Sequence, residues 1–178
     1  MINVKELSKI EEIYLYVIKN SQSNVNFGST LFNKILYFSD FDFYERHEKS
    51  ITGDHYIHSE HGPTAKRFPE IIKELKEKKL IKEVRLERSK DHIQRRYILL
   101  EDFEPSQLAE GEILELDRNI GRLGGMTASQ VSAYSHQDMP YKATEENEII
   151  DYELVFYRDP VFSVNSEESE EASDLVEP

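Results

Sequence analysis

The 178-residue chain contains no cysteine and no tryptophan. Without cysteine there is no disulfide framework, no thiolate metal site and no cysteine nucleophile. A reducing compartment is compatible with that composition. Long apolar runs are also missing. The longest, Ile13–Ile18, falls far short of the ~18 residues a membrane-spanning helix requires. The opening MINVKELSKIEEIYLYVIKN mixes Lys and Glu into a helical pattern and lacks a signal-peptide layout. These features give the expectation of a soluble, cytoplasmic protein with no membrane partner. Neither GxxxxGK[ST], GxGxxG nor HExxH occurs, so the phosphate loops and the zinc-protease motif are absent. No catalytic constellation is assembled locally, and the reading is of a non-enzyme without cofactor or metal.

Positive charge is in short supply: 22 Lys+Arg stand against 35 Asp+Glu, a net −13. Its distribution is uneven. The last stretch, SEESEEASDLVEP over residues 166–178, holds six acids, no base and no aromatic. Such composition buries too little apolar area to offset its ordering entropy, and residues 163–178 are read as a disordered acidic tail behind a domain over 1–162. Residues 66–96 are the opposite, with twelve bases against six acids. That +6 leaves −19 on the rest of the chain. A basic element on an acidic body fits a nucleic-acid face, an acidic partner or a solvated helix and hairpin.

The pattern predicts mostly helix with one hairpin. Apolar positions from Val4 to Lys19 keep helical spacing. Ser29 or Thr30 is placed to cap a second helix that is apolar over much of its girth and therefore central. A short extended piece at Ile51, Tyr56 and Ile57 is punctuated by Gly53 and Gly62-Pro63. Pro63 or Thr64 would open a third helix through Lys79. Ile81–Leu86 and Ile93–Leu99 read as strands about a turn at Ser89–His92. Glu104-Pro105 marks another helix start, ended by Gly124-Gly125, and Thr127–Gln130 fits a capping box for a short helix. The expected class is mainly α with a small β-hairpin (α+β), a single helical domain with a winged-helix-like core.

Several groups carry potential chemistry. His55, His58 and His61 have metal-ligand spacing on a helix, but Gly53 and Gly62-Pro63 argue for a loop of surface histidines. Ser135, His136 and Asp138 have the residue types of a hydrolytic triad, yet neighbours on a short helix do not face one another. In YFSDFDFY, Asp40 and Tyr44 are i, i+4 neighbours that fit either a core helix or a polar binding spot.

One block resembles a known family. Lys34-Ile35-Leu36-Tyr37-Phe38-Ser39-Asp40, then Thr52-Gly53 with Tyr56, then Gly62-Pro63 look like the opening of the Panacea, or SocA-like, domain. Ser135-His136-Gln137-Asp138-Met139-Pro140-Tyr141 resembles that family's later S-H-x-[DE]-x-x-W block, with Tyr141 in place of Trp, and His61 stands where an aromatic is common. The resemblance covers about residues 5–160 and implies an antitoxin of a bacterial or prophage toxin–antitoxin pair. Such proteins neutralise a cognate protein toxin by direct contact, and some relatives deliver it to a protease. It nominates Tyr37, Asp40, Thr52, Gly53, Tyr56, His61, Gly62, Pro63, His136, Asp138 and Tyr141 as the functional surface or its support; a polar pair between Asp40 and His136 is a separate expectation. The alternative is a winged-helix regulator contacting nucleic acid through Lys66, Arg67, Arg85, Arg88, Lys90, Arg95 and Arg96. A homodimer is compatible with either.

Overall fold

The central element is the 19-residue helix the sequence marks as apolar on most sides. A computed structural model describes residues 1–165, so the acidic tail read from the sequence lies, from Ser166 onward, outside the described residues. Helix α1 (Lys9–Ser21) precedes α2 (Ser29–His47), whose side chains from Leu31 to Phe43 are all buried. Then come strands β1 (Tyr56–Ser59) and β2 (Gly62–Ala65), helix α3 (Phe68–Glu77), and strands β3 (Ile81–Ser89) and β4 (His92–Leu99). Helices α4 (Glu110–Leu123), α5 (Ala128–Ser135) and α6 (Met139–Lys142) follow, and a 3-10 turn at Tyr152–Tyr157 returns to α2. Helix α2 packs against α4, α5, β2 and that turn, so one mixed α+β domain surrounds it. Among the described residues no helix is long and apolar enough to cross a membrane.

Four expectations on element bounds need correction. The first helix begins at Lys9, because Ser8 and Glu11 form a reciprocal capping box; Val4–Glu6 is a separate 3-10 turn. Ser29 and Thr30 do not cap the second helix but are its first residues; the N-cap is Gly28, and no side chain caps it. Gly62 and Pro63 do not lead into the third helix. They sit in β2, antiparallel to β1, with His58 opposite Pro63. The backbone of His58 bonds to Asn147 and Glu148 on its other side, so the missing N–H of Pro63 leaves no partner unsatisfied. The proline that opens α3 is Pro69, in its first turn. The fourth helix starts at Glu110 rather than beside Pro105. Buried Glu12 of α1 accepts from the Ser106 and Gln107 backbone N–H groups and from both side chains, and so holds that segment as a loop.

The β3–β4 hairpin and the capping box at Thr127 agree with the sequence reading. The helix–helix–helix–hairpin order holds, with β1–β2 inserted after the second helix. Ile81 and Tyr97 bury the root of the β3–β4 hairpin, with Tyr97 edge-on to Phe68, while Ile93 near its tip is exposed.

Candidate functional site

The nominated residues fall into three knots around α2. In the first, the fully buried Asp40 carboxylate accepts from the backbone N–H of Ile51 (2.7 Å) and Thr52 (2.9 Å), from Thr52 Oγ1 and from Tyr56 Oη (2.6 Å). Burial raises the pKa of Asp40, against the pull of these hydrogen bonds. Gly53, at φ +72°, supplies the left-handed turn between Thr52 and the strand. Asp40, Thr52, Gly53 and Tyr56 therefore form one device that fastens the loop after α2 to the helix itself.

The second knot is ionic. Arg158, with a side chain 0% exposed, makes a two-pronged contact with Asp138 (Nε–Oδ1 2.9 Å, Nη2–Oδ2 2.8 Å). Its Nη1 reaches Asp42 (2.8 Å) and Glu45 (3.4 Å) of α2. Tyr37 Oη also donates to Asp138 (2.9 Å). Asp42 is shared with Arg122 of α4, whose guanidinium lies over the Phe38 ring. Burial would strip the proton from Arg158, but Asp42 and Asp138 outweigh it and hold the pKa above its ordinary value. Glu45 accepts as well from Ser163 Oγ and the Val164 N–H, which ties the last described residues to α2.

The third knot lies where β2 crosses α5. Gly62 has φ +105°, and a Cβ there would stand 2.4 Å from Ser135 Oγ and 2.6 Å from Lys34 Cε. The buried Lys34 Nζ donates to the Pro63 carbonyl (3.1 Å), its one hydrogen-bond partner among the described residues. His136 and His58 sandwich the Tyr141 ring, at 4.8 and 3.7 Å between centroids. Tyr141 Oη donates to the Ser59 carbonyl, and the His61 carbonyl accepts from Ser132 Oγ. Burial, then the charge of Lys34, depresses the His136 pKa against a weaker pull from the Glu60 backbone, and no hydrogen bond to its buried Nε2 is formed among the described residues.

Asp40 and His136 do not pair. Asp40 is saturated by Thr52, Tyr56 and two backbone groups, and His136 stacks on Tyr141 instead. Nor do Ser135, His136 and Asp138 form a relay: Ser135 Oγ donates to the Ser132 carbonyl, and Asp138 faces Arg158 and Tyr37. Among the described residues no group of three or more His, Asp or Glu is placed to hold a metal ion.

Burial pulls the Lys34 amine down from its ordinary 10.5 to about 7. Between those values the unfolded chain binds more protons at this position than the folded one. The group therefore adds stability as pH rises through that window, and its contribution is lost below pH 7. The unfolding free energy of the wild type relative to Lys34→Met should climb between about pH 7 and 10. A flat difference in urea titrations across that range contradicts the burial of a near-neutral amine.

The basic element is largely satisfied from within. Arg88 and Arg96 both donate to the Val25 carbonyl, and Arg96 also to that of Gln22. Arg85 and Arg95 flank Glu83, and Arg67 pairs with Glu70. Lys66 and Lys90 are exposed.

Sequence reasoning missed Arg158, Glu45 and Lys34 as organising groups. Arg158 left a signal: it is the lone base among twelve acids from Ala143 to Pro178. The carboxylates that hold it, Asp42, Glu45 and Asp138, nonetheless all lie outside that stretch.

The fold and its knots define a class of protein in which conspicuous polar residues are framework, fastening loops to a central helix. Residues 32–142 match the family described as antitoxin SocA-like, Panacea domain, and the chain belongs to that antitoxin family. No curated protein and no solved structure matches it.

Proposed function

We propose that this chain is the antitoxin of a two-component toxin–antitoxin pair, acting in the cytoplasm and silencing its toxin by direct protein contact. The observation that carries the reading is the family match together with what its motif residues do. Tyr37, Asp40, Tyr56 and Asp138 are all buried, and their polar groups are engaged with one another, with Thr52, with Arg158 or with backbone, so none of these four is aimed at solvent. Such a molecule acts through its surface. A net charge of −13 would speed its encounter with a basic partner. The acids Glu70 and Glu83 beside Arg67, Arg85 and Arg95, together with the net −13, favour this reading over nucleic-acid contact, because they oppose an approaching phosphate backbone.

Co-expression tests it. The product of the adjacent gene should arrest growth alone, be harmless beside this chain and co-purify with it. A harmless neighbour, or rescue without a complex, contradicts the reading.

A further inference from the structure

The chain has nineteen aromatic side chains, and in the described structure seventeen are buried or half-buried. The two exposed ones are neighbours, Phe156 (45%) and Tyr157 (72%). Ile149 (49%) and Val161 (82%) flank them, so four of the ten exposed large apolar residues among those described fall within thirteen positions. This stretch follows the family-matched span, which ends at residue 142.

Together with the residues just before it, from 145 on, this stretch is strongly acidic on its outside. Glu145, Glu146, Glu148, Asp151, Glu153 and Asp159 are all exposed, and of these Asp159 pairs with Lys142 (4.0 Å). Its single base, Arg158, points inward into the Asp138, Asp42 and Glu45 carboxylates. It is also stiffly mounted. Tyr152 stacks between Phe41 (4.4 Å) and Tyr44 (5.1 Å), Val155 is buried, and Arg158 is held at both prongs. Exposed aromatics on a fixed backbone are the residue types that dominate binding energy, and the ordering entropy of that backbone is already met on folding.

Charge selects the occupant. A two-fold dimer through this face would bring the same six acids against themselves, which is repulsive. The chain's own residues 166–178 carry six acids and no base and are repelled likewise. We propose that the segment from Ile149 to Val161 is the docking surface for the toxin, with Phe156 and Tyr157 as anchors meeting a basic face of that protein. The inference rests on the antitoxin reading and adds to it the surface and the partner's charge.

The test uses the full-length chain and the purified product of the adjacent gene. Phe156→Ser/Tyr157→Ser should weaken the complex by about 100-fold. Tyr157→Ser alone, a change at a largely exposed side chain, should weaken it by about tenfold or more while leaving the melting temperature unchanged. Glu146→Lys/Glu148→Lys should slow association and flatten its dependence on salt, with dissociation near wild type. Leu86→Ser/Ile93→Ser on the hairpin should bind as wild type. Wild-type affinity in the Phe156/Tyr157 variant, or a loss confined to the Leu86/Ile93 variant, overturns the surface assignment while the antitoxin reading stands. A dimer in sedimentation that the Phe156/Tyr157 change abolishes, with toxin affinity kept, also overturns it. If the wild-type chain itself forms no complex, both readings fall.

Discussion

Replacing Arg158 with Met should lower the unfolding free energy by about 3–5 kcal/mol, because it strands buried carboxylates whose cation has been removed. Asp138 is fully buried and loses both prongs, and Asp42 and Glu45 lose their shared donor. Arg122 still reaches Asp42, and Tyr37 still donates to Asp138, so the network is weakened rather than emptied. Arg158→Lys should fall between the two proteins, since an ammonium restores charge but not the two-pronged geometry. Urea unfolding monitored by circular dichroism reads all three. Equal stability of wild type and Arg158→Met would mean that the 152–161 segment is not held by this ion network. The same variant should lose toxin binding out of proportion to the fraction unfolded, because it loosens the mount beneath Phe156 and Tyr157.

Gly62→Ala should destabilise by about 2–5 kcal/mol, combining left-handed backbone strain with overpacking. The methyl would stand 2.4 Å from Ser135 Oγ and 2.6 Å from Lys34 Cε at φ +105°. Gly53→Ala is the matched control: its φ is +72°, and nothing lies within 4 Å of the added carbon. It should carry only the backbone share, about 1–2 kcal/mol. The difference between the two variants then isolates the crossing of β2 over α2 and α5. Adding Ser135→Ala to Gly62→Ala should recover part of the loss. Equal costs at the two glycines would remove the steric argument.

Legibility followed the range of the interactions. The girth of apolar residues on α2, the alternation in β3–β4 and the Thr127–Gln130 capping box are local signals, and each became the element it predicts. The start of α3 was ambiguous because two prolines compete for it. Pro63 lost to Pro69 through pairing with His58, whose backbone bonds run to residues 147 and 148, some ninety positions away. The late start of α4 depends likewise on Glu12, about ninety-five residues upstream. The motif residues were legible as a set, but their work was not. Asp40 looked open to His136, yet a carboxylate beside a Thr-Gly turn finds backbone donors eleven and twelve residues on. The Asp138–Arg158 pair spans only twenty residues, but no period links its members, and only the isolation of Arg158 among acids points to it.

In this molecule the motif carboxylates Asp40 and Asp138 face inward and hold a stiff mount, and the proposed binding face is acidic and aromatic. The most direct measurement is the affinity of the purified chain for the adjacent gene product, taken by titration calorimetry at low and high salt. The account predicts a stoichiometric complex with a dissociation constant in about the nanomolar range, whose association slows as salt rises. A toxin that is neutralised in cells yet gives no binding heat and no complex at either salt concentration would contradict it.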